Sequence, residues 1–210
     1  RSFLLAENIP ENGTYRPCRI GNFVFFADDY YVEKEIFGEK GFVYNKKYLN
    51  LNSDIGFDLD ADSLSPVMQE GTLRFSTGYT YLNRDVSKND GCVYDKDDAH
   101  AQVLEDAEHF LKEHSSRLNK MCQEDSATDF YIDVCTFDLE RLSKNWFEFP
   151  DFFESIIVGL KQYDIENVSC SSLCANPSVY EKIIPYSSSG CGEGYGENLL
   201  SSKNCWMMRY

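Results

Sequence analysis

One amphipathic stretch, residues 97–122, most constrains what this chain can fold into. Its apolar side chains recur three or four residues apart, which places them on one face of an α-helix. They are Val103, Leu104, Ala107, Phe110, Leu111, Leu118 and Met121. Asp95 and the two acids at 97 and 98 supply an N-cap and a favourable charge for the helix dipole. The pattern predicts one long helix whose apolar face needs another layer to cover it.

The covering layer is predicted to be an antiparallel sheet. Residues 15–49 are rich in aromatic and β-branched side chains, interrupted by glycine and aspartate at short intervals, as in a meander of strands. A glycine-bounded turn predicts a hairpin between Glu35 and Tyr44. Residues 72–82 alternate between apolar and polar side chains, which predicts a half-buried strand.

Shorter elements are predicted after the long helix. Residues 128–137 and 165–170 have strand character, and a helical turn is expected at 139–142. Residues 150–163 have the spacing of a second helix, and Pro150 suits its first turn. The predicted fold class is therefore α+β. An antiparallel sheet of about five to seven strands is covered by one long and one shorter helix.

We expect residues 1–210 to form a single domain, because 210 residues are enough for one sizeable core. Residues 1–14 are interpreted as an N-terminal arm. Residues 171–210 are rich in Cys, Gly and Ser and can bury little by themselves. We expect disulfides to tether this C-terminal segment to the rest of the domain.

Eight cysteines are spread along the chain: Cys18, Cys92, Cys122, Cys135, Cys170, Cys174, Cys191 and Cys205. Their even number, and the absence of a C-x-x-C pair, favour structural disulfides over a zinc ribbon or a redox centre. Eight cysteines allow 105 pairings, so the sequence does not give the connectivity. The sequons at Asn12 and Asn167 predict glycosylation. Together these features predict an extracellular protein, secreted or an ectodomain at the cell surface, and Arg1 as first residue fits a processed chain.

The charge balance argues against two classes of partner. The formal net charge is −15, from 35 acidic and 20 basic residues, so the surface repels phosphate backbones and anionic membranes. We expect no nucleic-acid binding, and a protein partner that is extracellular and basic is favoured. The chain has no apolar run of the roughly 18 residues that a membrane-spanning helix needs.

Two groups of side chains are candidate metal ligands. Asp58, Asp60 and Asp62 alternate along the chain and predict a calcium site, although the following residues depart from an EF-hand loop. The other interpretation of this segment is a solvated acidic loop. Glu105, His109 and Glu113 are four residues apart on the polar face of the long helix. They fit either a transition-metal site or ordinary contacts between successive helical turns.

No catalytic or cofactor-binding residue is predicted, because the sequence has no G-x-S-x-G elbow and no phosphate-binding loop in its proper context. The favoured hypothesis is a non-enzymatic extracellular glycoprotein that binds another protein. One alternative is a carrier of an apolar or cationic small molecule, with the aromatic sheet enclosing it. The other alternative is a secreted hydrolase that uses carboxylates or calcium.

Overall fold

The computed structural model describes residues 15–66, 74–85, 92–124 and 130–183. These residues fall into two compact units, and each unit is made of segments that are distant in sequence. The first unit comprises residues up to 30, residues 114–136 and residues from 166 onward. The second unit comprises residues 31–113 and 137–165.

Helices are the main elements of the described residues. They are α1 (Tyr30–Phe37), α2 (Ile55–Asp58), α3 (Ala61–Leu64), α4 (Lys96–Glu124), α5 (Leu139–Asn145), α6 (Phe149–Gly159) and α7 (Cys170–Leu173). Short 3-10 turns lie at Phe42–Tyr44, Leu160–Tyr163 and Pro177–Val179. The strands are β1 (Cys18–Ile20), β2 (Phe23–Phe25) and β3 (Glu181–Lys182).

The three described strands form one small sheet in the first unit, with the order β2-β1-β3. β1 and β2 are antiparallel, and their two-residue connection starts at Gly21, whose φ of 60° suits a tight hairpin turn. β1 and β3 are parallel, with Cys18 opposite Glu181. The buried side chains of Cys18, Ala27 and Ile183 pack together beside the sheet.

The prediction of a five-to-seven-stranded sheet is wrong. Where a hairpin was expected between Glu35 and Tyr44, the chain forms the end of α1 and a 3-10 turn. The reason is visible in α1, where Val32 and Ile36 are both buried and lie four residues apart, the spacing of a helix face. Aromatic and β-branched side chains therefore fill the core from helices here.

Three other predicted strands, over 72–82, 128–137 and 165–170, are not ladder strands where the structure describes them. At 165–170 the chain forms no strand, and α7 begins at Cys170. Over residues 74–85 the structure shows isolated bridges, Leu49 to Asn83 and Leu82 to Val93. Residues 130–138 are also outside the sheet. There, the Ile132 amide donates to the Tyr15 carbonyl at 2.8 Å, and one further backbone bond joins Val134 to Asp29.

The predicted long helix is confirmed as α4. Asp95 caps it as expected, since its carboxylate accepts the backbone N–H groups of Asp97 at 2.8 Å and Asp98 at 3.1 Å. The predicted second helix is confirmed as α6, and the turn at 139–142 is the start of α5.

Aromatic side chains form the core of the second unit. Trp146 and Phe152 lie at its centre, with ring centroids 4.7 Å apart. Tyr48 packs against Trp146 at 5.4 Å, and Phe110 of α4 meets Phe152 edge-on at 5.9 Å. Such ring pairs add to the free energy gained by burying their area. This cluster fixes α4, α5 and α6 of the second unit around one core.

The predicted disulfides are not present among the described cysteines. Six of the eight cysteines are described, and all six are free thiols: Cys18, Cys92, Cys122, Cys135, Cys170 and Cys174. Cys191 and Cys205 lie outside the described residues. Cys18 packs as a small apolar side chain, and burial raises the pKa of its thiol. An extracellular location was predicted from the cysteines together with the two sequons, and it stays a prediction that the free thiols do not support.

Candidate functional site

A groove of about 830 Å³ in the second unit is the first candidate site. The first half of α4 forms one wall, and α6 with the turn that follows it forms the other. At Gly159, α6 approaches α4 closely, and this contact forms the bottom of the groove. A Cβ at Gly159 would lie 2.4 Å from Leu111 Cδ1. Its volume is within the range of small-ligand sites.

Four carboxylates line the groove. Asp97 and Glu108 come from α4, and Asp151 and Glu154 come from the first turns of α6. Asp151 and Glu154 are three residues apart, so they are neighbours on the surface of one helix. His100 Nδ1 faces Asp151 Oδ2 at 3.9 Å, and both side chains are about half exposed. The groove is therefore acidic and open to solvent.

Tyr163 lies in this groove, with its hydroxyl hydrogen-bonded to the Glu108 carboxylate. Partial burial, and then the neighbouring Glu108 carboxylate, raise the pKa of its hydroxyl. The hydroxyl therefore stays protonated at neutral pH. Donors and carboxylate acceptors in one shallow groove suit a ligand with many hydroxyl groups, which can both donate and accept.

A second polar group in this unit is buried and supports the fold. The Tyr48 hydroxyl donates to Asp106 Oδ2 at 2.5 Å, and Gln102 Nε2 donates to Asp106 Oδ1 at 2.9 Å. Burial raises the pKa of Asp106, and burial together with the Asp106 carboxylate raises the pKa of Tyr48. Because Tyr48 has no exposed surface, this group cannot meet a substrate.

The Arg84 side chain joins three backbone segments inside the second unit. Its guanidinium donates to three backbone carbonyls, those of Leu49 at 3.1 Å, Val43 and Asn145. Partial burial lowers the pKa of Arg84, with the Glu148 carboxylate opposing this. Neutral carbonyl acceptors thus hold a charged side chain at the junction of three chain segments.

Asp54 organises the loops of the second unit. Its carboxylate accepts the N–H groups of Gly56 at 2.8 Å and Thr77 at 3.0 Å, and the hydroxyl of Ser76 at 2.6 Å. These bonds to the charged form hold the pKa of Asp54 well below its usual range. Gly56 fits closely here, since a Cβ would lie 2.1 Å from the Phe75 carbonyl oxygen.

We expect the stabilising effect of Asp54 to depend on pH. Because the folded-state pKa is depressed, its contribution is full above the unfolded value of about 3.9 and is lost as pH falls through the folded value. The difference in urea midpoint between wild type and Asp54→Asn should be larger at pH 6 than at low pH. Asp62 is exposed, so Asp62→Asn is the matched control. Its urea midpoint should equal that of the wild type both at pH 6 and at low pH. A difference that grows on acidification would contradict the assignment.

The predicted calcium ligands lie on two short helices of the second unit. Asp58 ends α2 and accepts the Asp54 backbone N–H at 2.8 Å. Asp60 caps α3 through the backbone N–H of Ser63 at 2.8 Å, and Asp62 lies in the first turn of α3. Their polar contacts are thus those of helix caps, and calcium binding here stays a prediction.

The predicted group on the polar face of α4 is also placed by the structure. His109 is exposed and its ring meets the edge of Phe42, with centroids 6.0 Å apart. Glu105 and Glu113 are exposed. Of the two sequons, Asn12 is outside the described residues and Asn167 lies in an exposed segment after the α6 turn.

A group that the sequence interpretation missed lies in the first unit. His114 of α4, Asp133 and Cys135 bring one ligand atom each to within 4.8 Å of one another. His114 Nδ1 hydrogen-bonds Asp133 Oδ2, and the same nitrogen is 3.9 Å from Cys135 Sγ. We name these three residues the thiol–imidazole cluster. Cys135 was expected in a disulfide and is a free thiol.

The thiol–imidazole cluster is not arranged as a nucleophilic triad. In a triad the base uses one ring nitrogen for the nucleophile and the other for the carboxylate. Here thiol and carboxylate both face Nδ1. Burial raises the pKa of Cys135, a shift that the His114 hydrogen bond opposes, so the sulfur is a thiol and a weak nucleophile.

Comparison with solved structures identifies the fold. The chain superposes on the α-amylase AmyC from Thermotoga maritima with a TM-score of 0.73 and 21% identity, over 99% of this chain and 39% of that one. A GH57-type branching enzyme from Pyrococcus horikoshii gives 0.69 and 18%, over 92% of this chain and 33% of that one. A GH57 branching enzyme from Thermococcus kodakaraensis, solved with glucose and additives, gives 0.69 and 19%, over 93% and 33%.

The TM-scores of 0.69 to 0.73 establish a shared fold, and the low identities show no more than that. No protein-family model matches the sequence, and no curated protein matches it. The chain spans between a third and two fifths of the length of the solved structures it resembles. Among the residues that the structure describes, none of the helices combines the length and apolar composition that crossing a bilayer requires.

The likeness corrects the functional prediction. A non-enzymatic protein-binding module was expected, whereas the fold is one found in an α-amylase and in two GH57 branching enzymes. The prediction was drawn from the cysteines, the two sequons, the acidic charge and a missing catalytic motif. The described cysteines form no disulfides. Carboxylate chemistry has no compact motif, because its residues can come from distant parts of the chain.

Proposed function

We propose that this chain is part of a carbohydrate-active enzyme that acts on glucose polymers. The observation that carries the proposal is the likeness over 99% of the chain to an α-amylase, at a TM-score of 0.73. A fold alone does not determine an activity, so the surface must also suit such a substrate.

The acidic groove offers the chemistry that a saccharide needs. Its carboxylates can each accept hydrogen bonds from neighbouring sugar hydroxyls, and Asp151 and Glu154 present two such groups side by side. Lys96 supplies a donor to the same groove. A sugar chain exposes rows of hydroxyl groups that match alternating donors and acceptors, whereas an anionic ligand would be repelled.

The activity is tested with defined glucans. The purified protein is incubated with maltoheptaose and with amylose, and products are separated by anion-exchange chromatography. We expect shorter or redistributed oligosaccharides, because α-amylase and branching activities both break a glycosidic bond. Boiled protein is the control. No product from either substrate after prolonged incubation, together with no detectable binding, would contradict the proposal.

We expect the groove acids to contribute to saccharide binding. Asp151→Asn combined with Glu154→Gln removes two charged acceptors, each worth about 1.5–3 kcal/mol when fully used and less at an exposed site. Affinity for maltoheptaose should therefore fall by roughly tenfold, as measured by isothermal titration calorimetry. Glu113→Gln, an exposed acid of α4 outside the groove, is the matched control. Equal affinity in both variants would place saccharide binding elsewhere.

A further inference from the structure

The thiol–imidazole cluster is formed by two segments of the first unit. Asp133 and Cys135 are two residues apart in an extended segment, so their side chains project to the same side. His114 meets them from α4. The side chains of His114 and Asp133 are 4% and 7% exposed, so these two ligands are shielded from solvent, and Cys135 is half-buried.

An unused acceptor points to a missing ligand. Asp133 Oδ2 is engaged by His114, but Oδ1 is buried and has no hydrogen-bond partner among the described residues. A buried carboxylate oxygen left without a partner is destabilising. Nearby, Arg117 lies 3.7 Å from Asp29, and this pair adds no net charge to the surroundings.

We propose that His114, Asp133 and Cys135 form a binding site for a transition-metal ion, with zinc preferred. Imidazole nitrogen, thiolate sulfur and carboxylate oxygen are the three ligand types that zinc takes in proteins. A thiolate and an imidazole disfavour calcium and magnesium, which take oxygen ligands. The site is separate from the calcium segment at Asp58 to Asp62, which is in the second unit.

Charge and proton balance are satisfied by this assignment. On binding Zn²⁺, Cys135 forms a sulfur–metal bond and releases its thiol proton to solvent. Neutral His114 carries its one proton on Nε2 in the bound state, so Nδ1 gives up its hydrogen bond to Asp133. Nδ1 and the Asp133 carboxylate then each donate a lone pair to the metal. The bound ion, a thiolate and a carboxylate then sum to zero charge. Three protein ligands leave the fourth tetrahedral position to a water molecule.

The test uses the reduced, metal-free protein and cobalt(II) alone as the probe, with zinc as competitor. We expect one equivalent of Co²⁺ to produce a thiolate-to-cobalt charge-transfer band and the visible absorption of a tetrahedral ion. Zinc should abolish both signals stoichiometrically and raise the Tm of the wild type. This experiment contains no saccharide, so its outcome is independent of the proposed enzymatic function.

Variants assign the site. Cys135→Ser should lose the charge-transfer band and bind the ion more than roughly tenfold more weakly, since even outer-shell changes cost 10- to 100-fold in affinity. Cys122→Ser removes an exposed thiol from α4, the helix that carries His114. This variant should leave both the charge-transfer band and the metal affinity unchanged. Asp133→Asn keeps the side-chain size and should also weaken binding, so it serves if Cys135→Ser fails to fold.

Three results would overturn the proposal. The wild type could give no charge-transfer band, or the band could persist at full strength in folded Cys135→Ser. Affinity could also be unchanged in folded Asp133→Asn. Loss of the band in Cys135→Ser with retention in Cys122→Ser, and weaker binding in Asp133→Asn, would support it.

Discussion

Replacing Trp146 by alanine is expected to lower the free energy of unfolding by about 3–5 kcal/mol, the usual cost of truncating a buried tryptophan. Trp146 is 1% exposed and packs against Tyr48, Phe149 and Phe152, with ring centroids between 4.7 and 6.0 Å away. Its removal leaves a cavity in the middle of the aromatic core of the second unit. Urea denaturation followed by near-ultraviolet circular dichroism measures the change.

The neighbouring residue gives a matched control for this prediction. Phe147 is 57% exposed, so Phe147→Ala removes an aromatic ring of similar size without opening a cavity. We expect its effect to stay within about 0.5 kcal/mol, as for most surface substitutions. If the two variants were equally destabilised, Trp146 would not be the centre of the core that the structure describes.

Tyr48→Phe is expected to cost about 1.5–3 kcal/mol, although it removes a single oxygen atom. The Tyr48 hydroxyl is one of two side-chain donors that Asp106 has in the described structure, at 2.5 Å, the other being Gln102. Without the hydroxyl, a buried carboxylate loses a charge-assisted hydrogen bond that water cannot replace. The aromatic ring at position 48 can still pack against Trp146, so the loss of stability measures the contribution of the hydrogen bond to Asp106.

Tyr44→Phe serves as control for this second prediction. Tyr44 is 54% exposed, and its hydroxyl can bond to water after any local change. Its substitution should change the urea midpoint little, whereas Tyr48→Phe should shift it clearly. A Tyr48→Phe protein as stable as the wild type would mean that Asp106 is satisfied by other partners.

Local signals in the sequence were sufficient to predict α4 and α6. The cap at Asp95, the stripe that includes Phe110 and Leu111, and the proline at position 150 all act within a few residues of the element they define. The structure forms α4 and α6 where these signals predict them. The starts of both helices could therefore be predicted before any tertiary contact was known. The apolar face of α4 was predicted in part, since Phe110 and Leu111 are buried whereas Leu104 is 50% exposed.

The sheet could not be predicted in the same way. Tyr31, Val32 and Ile36 have high strand propensity, but propensity for strands depends on the surface against which a side chain packs. Two buried positions four residues apart, Val32 and Ile36, were the signal for a helix, and the surrounding aromatic residues concealed it. Short strands such as β3 depend on a partner far along the chain and leave no local pattern.

The sequence contains a weak signal for the thiol–imidazole cluster. His114 follows Phe110 by four residues and Leu111 by three, so it lies on the apolar face of α4 and not on the polar face with His109. Asp133 and Cys135 share one side of an extended segment. A histidine on the buried face, with a cysteine and an aspartate two residues apart, is a pattern of ligand types. Their meeting in space, however, depends on the tertiary fold.

The order of strands in the small sheet has a consequence for how the protein folds during synthesis. β1 pairs with β3 in parallel, and Arg19 Nε donates to the Tyr180 carbonyl, a residue 161 positions later in the chain. All segments of the second unit lie between these two residues. The ribosome therefore releases every segment of the second unit before β3 emerges. Contacts of such long sequence separation slow folding, so we expect the sheet to form last.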